Sequence, residues 1–413
     1  MDNEHLSYSK DFNLGIILMG IYYVFEFGSF QALYPFVKKM HLPFIMVAIS
    51  TIYVVLRFFF RKNISFTNPT TQSFALLCSF WICYSYAETI SPIDREYTIK
   101  QFFSFFVYYL IVLSSVTKPS QFILLIDIWL LSICYSSLHG ILQGGLVWGS
   151  QWLKDQNQFS TLLTIAIPFA LFFLFNFQGK FRKIFYTSCL ILFLTGVIVS
   201  ASRGGFVALL SCGLLCLIFS KKSKIVLLLL FGCATILVFQ FAPQKFFREV
   251  ETISMGTEER TARARVYYYE LAFKMFRDHP FLGVGPVNYP QYFSDYDYKR
   301  VRKYGTKRVG HSTPLAILSE TGLIGAMIFF LLQVRMYKNW RFFHKQISLL
   351  EGEPLEKRQI RFFLSVANAC AIAQVVFLIN SLFLTLTTFP FYWCLVPFSE
   401  TWKNLFFEYV QKG

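Results

Sequence analysis

The sequence predicts an all-α membrane protein of about twelve transmembrane helices, because apolar runs of roughly 17–25 residues recur along it, each able to cross a hydrocarbon core of about 30 Å. Composition agrees: of 413 residues, 55% are hydrophobic, 50 are Phe and only 15% are charged, against about 25% charged in a typical soluble domain. The runs also lack the period-2 alternation of a membrane barrel, so in lipid their backbone groups can be satisfied only within helices.

The runs fall at 13–34, 42–60, 72–91, 101–116, 122–142, 159–177, 184–200, 205–220, 225–241, 312–336, 362–383 and 388–406. Lys and Arg are retained on the cytoplasmic side of a bilayer, so their distribution orients the bundle. With the N-terminus inside, the inner connections carry Arg61 and Lys62, Lys118, Lys180 with Arg182 and Lys183, Lys221 with Lys222 and Lys224, and then Lys338, Arg341, Lys345, Lys357, Arg358 and Arg361. The short outer connections hold Lys38, Lys39, Arg95, Lys100 and Lys154, partly balanced by Asp94, Glu96 and Asp155. Orientation and anionic lipid headgroups thus account for most of the net charge of +16, which removes the argument for a nucleic-acid surface. The first run is too long for a signal peptide and has no small-residue cleavage site, so it reads as a retained helix. All nine cysteines lie inside apolar runs; without metal-ligand spacing to a histidine, and with none in an outer connection, they read as packing residues. The expected organisation is an N-terminal bundle over 1–241, a large outer loop over 242–311 and C-terminal membrane helices over 312–413.

That loop departs from the otherwise short connections, with thirteen Lys or Arg against eight Asp or Glu over 242–310. Long ordered loops usually carry function. Within it, 263–277 reads as an amphipathic helix lying on or packing into the membrane surface. Val266, Tyr269, Phe273 and Phe276 form its apolar stripe, Thr261 is its N-cap and Pro280 follows its end.

Three features could carry chemistry. Ser200-Ala201-Ser202-Arg203-Gly204-Gly205 joins the seventh and eighth runs on the outer side. A cation at a glycine-rich turn suits phosphate, because small neighbours let a ligand reach the backbone; a snorkelling interfacial arginine at a helical hairpin would look the same. Arg260, Arg263 and Arg265 open the loop helix, where guanidinium groups match phosphate oxygens and the positive helix end adds attraction. Glu258 and Glu259 could equally pair with them on a solvated face. His311 stands where the loop enters the tenth run. A neutral imidazole there could accept a hydroxyl proton, or be an ordinary interfacial histidine. Asp295-Tyr296-Asp297 has the spacing of an acidic metal pair, but Lys299, Arg300, Arg302 and Lys303 beside it favour charge pairing, and the tyrosines of 289–304 could stack on sugar rings. Glu26, Arg57 and Asp127 lie inside apolar runs and would serve a transporter, but no internal repeat accompanies them, and pairing within the bundle explains them.

Ser202-Arg203-Gly204-Gly205, then Arg265 with Tyr269 and Ala272 leading into Asp278-His279-Pro280-Phe281-Leu282-Gly283-Val284-Gly285-Pro286, and then His311 with Leu315, Glu320, Gly322, Leu323 and Gly325 together resemble the O-antigen ligase and O-antigen polymerase superfamily. The resemblance is sharpest over 155–330, where Asp155-Gln156-Asn157 is also similar to an Asp-Pro-Asn turn of that family, with Gln156 in place of the proline. It implies a GT-C-like bundle under a periplasmic loop in the bacterial inner membrane, with the active site facing the periplasm and with no metal or other cofactor. The implied donor is a glycan on undecaprenyl diphosphate, and the implied acceptor a hydroxyl of lipid A core or another surface glycan. Arg203 and Arg265 would stabilise the departing diphosphate, His311 would deprotonate or orient the acceptor, and displacement would invert the anomeric centre. Arg260, Arg263, Ser202 and Tyr269 would complete the contacts to diphosphate or glycan. Glu320 would orient His311 or hold packing, the second being favoured. The single large outer loop favours a ligase over the alternative, a polymerase of lipid-linked repeat units; a non-enzymatic transporter of the lipid-linked glycan is the remaining alternative.

Overall fold

The computed structural model describes residues 13–30, 34, 42–61, 68–88, 92–219, 232, 260–299, 308–349 and 357–412. Among them every regular element is a helix. The N-terminal part holds α1 (Leu14–Phe27), α2 (Leu42–Arg61), α3 (Pro69–Glu88), α4 (Pro92–Ser115), α5 (Pro119–Leu142), α6 (Gln156–Asn176), α7 (Lys180–Ser200) and α8 (Arg203–Phe219). The loop contributes α9 (Arg260–Asp278) and α10 (Tyr289–Tyr296), and α11 (Thr313–Leu349), α12 (Lys357–Ser381), α13 (Pro390–Trp393) and α14 (Leu395–Lys412) follow. Pro69, Pro92, Pro119 and Pro390 each open a helix, at the position where a missing amide hydrogen costs nothing.

Six helices, α4 to α7, α11 and α12, are long and apolar enough to cross a membrane; α1, α2 and α8 are shorter apolar helices. The run expected at 225–241 lies outside the described residues. The run expected at 388–406 is divided into α13 and α14, because Pro397 has no amide hydrogen to return to the Trp393 carbonyl. Leu210, Leu214 and Ile218 on α8, and Met327 and Phe330 on α11, are exposed at helical spacing. Such rows suit contact with lipid, which is as apolar as they are. Inward, edge-to-face aromatic pairs fill the bundle, Trp129 on Phe398 at 5.6 Å among them. Among the described residues the cysteines are free; Cys83 is exposed rather than packed, while Cys78, Cys189, Cys212, Cys216, Cys370 and Cys394 are buried.

Hydrogen bonds sort the helix ends into two groups. At one end Trp152 donates to Glu26 (2.6 Å), Ser136 to the Phe27 carbonyl (2.5 Å) and Thr313 to the Leu384 carbonyl (2.7 Å). At the other, Asn13 donates to the Ser115 carbonyl (2.7 Å), Asn339 to the buried Glu400 carboxylate (2.8 Å) and Asn368 to the Phe219 carbonyl (3.4 Å). The short connections at the first end are poor in Lys and Arg, and those at the second are rich in them. Of the ionisable residues within the runs, Asp127 accepts the Tyr186 hydroxyl at 2.7 Å, Arg57 donates to the Ser114 carbonyl, and Glu400 pairs with Lys403 at 2.6 Å.

The loop is locked to the bundle at a break in α11. Gly322 takes φ 60° and ψ −160°, a region essentially reserved for glycine, and the amides of Leu323 and Ile324 turn away from the carbonyls of their own helix. They donate instead to Pro280 (2.8 Å) and Phe281 (3.2 Å), while the amides of Val284 and Gly285 donate to the Ser319 (2.8 Å) and Glu320 (2.9 Å) carbonyls. Two lost helical bonds are thus replaced by four across the interface. The approach is so close that a Cβ on Gly322 would stand 2.3 Å from the Phe281 carbonyl carbon, and one on Gly283, at φ 72°, would stand 2.4 Å from that of Glu320. Gly322→Ala is therefore expected to cost at least about 1–3 kcal/mol in backbone strain alone, read as a lower thermal midpoint of the purified protein. Gly179→Ala, whose Cβ meets nothing within 4 Å, should move that midpoint far less.

Candidate functional site

The site forms where the starts of α6, α8 and α11 meet α9. The Asp155 carboxylate caps α6, accepting from the amides of Asn157 (2.8 Å) and Gln158 (3.4 Å) and from the Asn157 side chain (3.0 Å). This leaves the Asn157 Oδ1 to accept the Ser202 hydroxyl at 2.7 Å, and the Ser202 Oγ to accept the Gly205 amide at 3.0 Å as α8 begins. The turn before it passes through Ala201 at φ 51°. Gly205 lets α8 start against α6, since a Cβ there would stand 2.4 Å from the Ser160 Oγ. Ser202, expected to touch ligand, is buried and serves as the link between two helix starts. Arg203 follows it, half-buried in the first turn of α8, where the positive end of a helix favours an anion.

α9 starts at Arg260, one residue before the expected cap Thr261. Besides the stripe read from sequence, of which Val266 and Phe273 are exposed, α9 carries a second apolar face: Tyr267, Tyr268, Leu271, Ala272 and Met275 pack with Val284, Tyr289 and Phe293. The helix is apolar on more than one face, and the tyrosines, amphipathic in themselves, take the inner one. Exposed Val266 and Phe273, with Phe281 at 67% exposure, suit the membrane surface. Arg263 is exposed and Arg265 half-buried; the side chain of Arg260 lies outside the described residues.

His311 precedes α11 at φ 50°. Its carbonyl, with that of Leu382 at the end of α12, accepts the Tyr269 hydroxyl, at 3.2 and 3.0 Å. Tyr269 is therefore engaged in clasping His311 to α12. The imidazole lies against the Tyr268 ring, centroids 5.9 Å apart and planes within 22°. Burial pushes the His311 pKa below its usual value; Arg265 lowers it further, Asp155 opposes and Arg308 adds to the lowering. Asp155, Arg265 and His311, far apart in sequence, thus share one electrostatic neighbourhood, with Arg203 joined to it through Ser202 and Asn157.

Glu320 accepts the Tyr289 amide at 3.3 Å and so supports the start of α10. Asp297 is buried and accepts the Tyr267 hydroxyl at 2.7 Å, and Lys299 pairs with Glu270 at 3.5 Å rather than with either aspartate. Among the described residues no group of three or more His, Cys, Asp or Glu is arranged to hold a metal ion. Sequence reasoning missed Tyr268, whose signal was the run Tyr267-Tyr268-Tyr269. It also missed the electrostatic role of Asp155, which left no local signal.

Residues 187–330 match a family model described as O-antigen ligase, a stretch that holds Ser202, Arg203, Arg265, Tyr269, Gly283, His311 and Gly322. The resemblance read from the motifs is shown across it. No curated protein is significantly similar to the chain.

Because the folded chain depresses the His311 pKa, the unfolded chain binds this proton first as pH falls. The neutral ring therefore costs no stability above the ordinary value of about 6.5, and stability is lost as pH drops below it. Imidazole NMR, assigned through His311→Gln, should show His311 still mostly neutral at that pH. Arg265→Gln should move its titration upward, and an unshifted curve would remove Arg265 from its surroundings.

Proposed function

We propose that this membrane protein of the O-antigen ligase kind transfers a glycan from undecaprenyl diphosphate to an acceptor hydroxyl, at the periplasmic face of a bacterial inner membrane. The observation that carries the reading is the gathering of a desolvated histidine with Arg265 and Asp155, beside the start of α8 where Arg203 stands, inside the stretch that matches the family.

The chemistry follows from the residue types. The acceptor oxygen attacks the anomeric carbon as its proton passes to the imidazole of His311, which is neutral and so has a lone pair to receive it. The bond from that carbon to the diphosphate breaks and the electron pair leaves with the phosphate. Arg203 and Arg265 stabilise the charge that grows there, as preorganised cations do best in a partly desolvated place. The start of α8 adds its dipole on the same side. A single displacement inverts the anomeric centre. Arg263, exposed at the start of α9, extends the positive surface that attracts the carrier headgroup.

Ligation to a finished acceptor is preferred over chain polymerisation because one large loop, rather than two, interrupts the short connections. Deleting the gene separates them: a lost ligase leaves full-length glycan on the carrier, whereas a lost polymerase leaves single repeat units. Arg265→Ala and His311→Ala are each expected to lower transfer by about 10²-fold or more at normal protein level. Surface glycan made at the ordinary rate by both variants would sink this assignment.

A further inference from the structure

We propose that Tyr268 is a positioning residue for His311: its ring sets the plane of the imidazole and shields one face of it, and Phe293, packed against that ring, holds it in turn. The inference rests on the reading of His311 as the group that receives the acceptor proton. His311 lies outside α11, and the Tyr269 hydroxyl holds only its backbone carbonyl, which leaves the ring two side-chain torsions. The near-parallel Tyr268 ring at 5.9 Å is the contact that restricts them. Tyr268 is itself held. It is 5% exposed, meets the edge of Phe293 at 5.6 Å and 77°, and its carbonyl accepts the Tyr289 hydroxyl at 2.9 Å. Tyr289 is fully buried, with its amide on Glu320. A path of packed groups therefore runs from the break in α11 through α10 and α9 to the imidazole. Among the described residues, the charged groups that act on that ring are Arg265 on α9, Asp155 before α6 and Arg308 in the segment leading to His311. With the tyrosine on one face, an acceptor hydroxyl is left the ring edge and the opposite face.

The test uses the full-length protein in detergent and, as donor, carrier-linked glycan extracted from the deletion strain. Tyr268→Ala is expected to lower kcat by about tenfold or more, as small misplacements of a reacting group do, with donor KM nearly unchanged. The acidic limb of its pH profile should move to higher pH as the ring gains water. Tyr268→Phe, which keeps the ring, should restore both. Where Tyr268→Ala fails to accumulate, Tyr268→Leu fills the space without a stacking face and is read in the same way. Imidazole NMR of His311 follows the same upward shift without any turnover. Ordinary kcat and pH profile in the Ala or Leu variant, or a change confined to KM, would overturn the proposal; the second result would make Tyr268 a sugar contact. Undiminished transfer by His311→Ala would instead overturn the catalytic reading, and the NMR shift would then decide by itself whether Tyr268 shields the imidazole.

Discussion

The exchange of backbone hydrogen bonds at the break in α11 joins the loop to the bundle, and the rest of the site depends on that join. A helix that surrenders two of its own bonds in an apolar setting would be costly, since unsatisfied amides and carbonyls have no water to turn to. Here the turn after α9 supplies partners for all four groups. Because the bonds run from main chain to main chain, the relative placement of α9 and α11 has little freedom. Tyr269, Tyr268 and His311 inherit that rigidity through the elements that carry them. The fit also explains why two glycines, each in a conformation closed to most other residues, face one another across the interface.

A second constraint is electrostatic. Arg203, Arg263 and Arg265 and the start of α8 place positive charge at the end of the bundle whose short connections are poor in Lys and Arg. Such charge does little for folding in itself. Its effect on His311 is concrete, however, since burial and a nearby guanidinium both disfavour the imidazolium. Of these cations Arg265, which would attract a phosphate, also helps keep the imidazole neutral. In the proposed reaction that one placement would serve both partners.

Much of the fold was legible in the sequence, because apolar length and Lys/Arg asymmetry are local signals imposed by the bilayer. The helical class, most of the runs and the grouping of connections at two ends follow from them. The division at Cys394 was not foreseen, because an apolar run conceals where its backbone ladder fails. The site was legible to the extent that its motifs are contiguous: the turn at Ser202 to Gly205, the arginines of α9 and the residues around His311. The second, inward face of α9 went unread, since tyrosines can sit on either side of an amphipathic boundary and periodicity counts them as ambiguous. Asp155 and Tyr268 act through contacts between segments distant in sequence, for which a single chain offers no local pattern.

The link from Ser202 to Asn157 bears on what kind of unit the family stretch is. Residues 187–330 match the family, yet the turn before Arg203 is buttressed from outside it, by Asn157 and by Gly145, whose Cβ would stand 2.3 Å from the Ser200 Cα. His311 is likewise clasped to the Leu382 carbonyl. The stretch is therefore no detachable module. A chimera made by exchanging it alone would carry the arginines and the histidine into a frame without their supports, and a graft meant to change the glycan would have to bring the start of α6 and the end of α12 along.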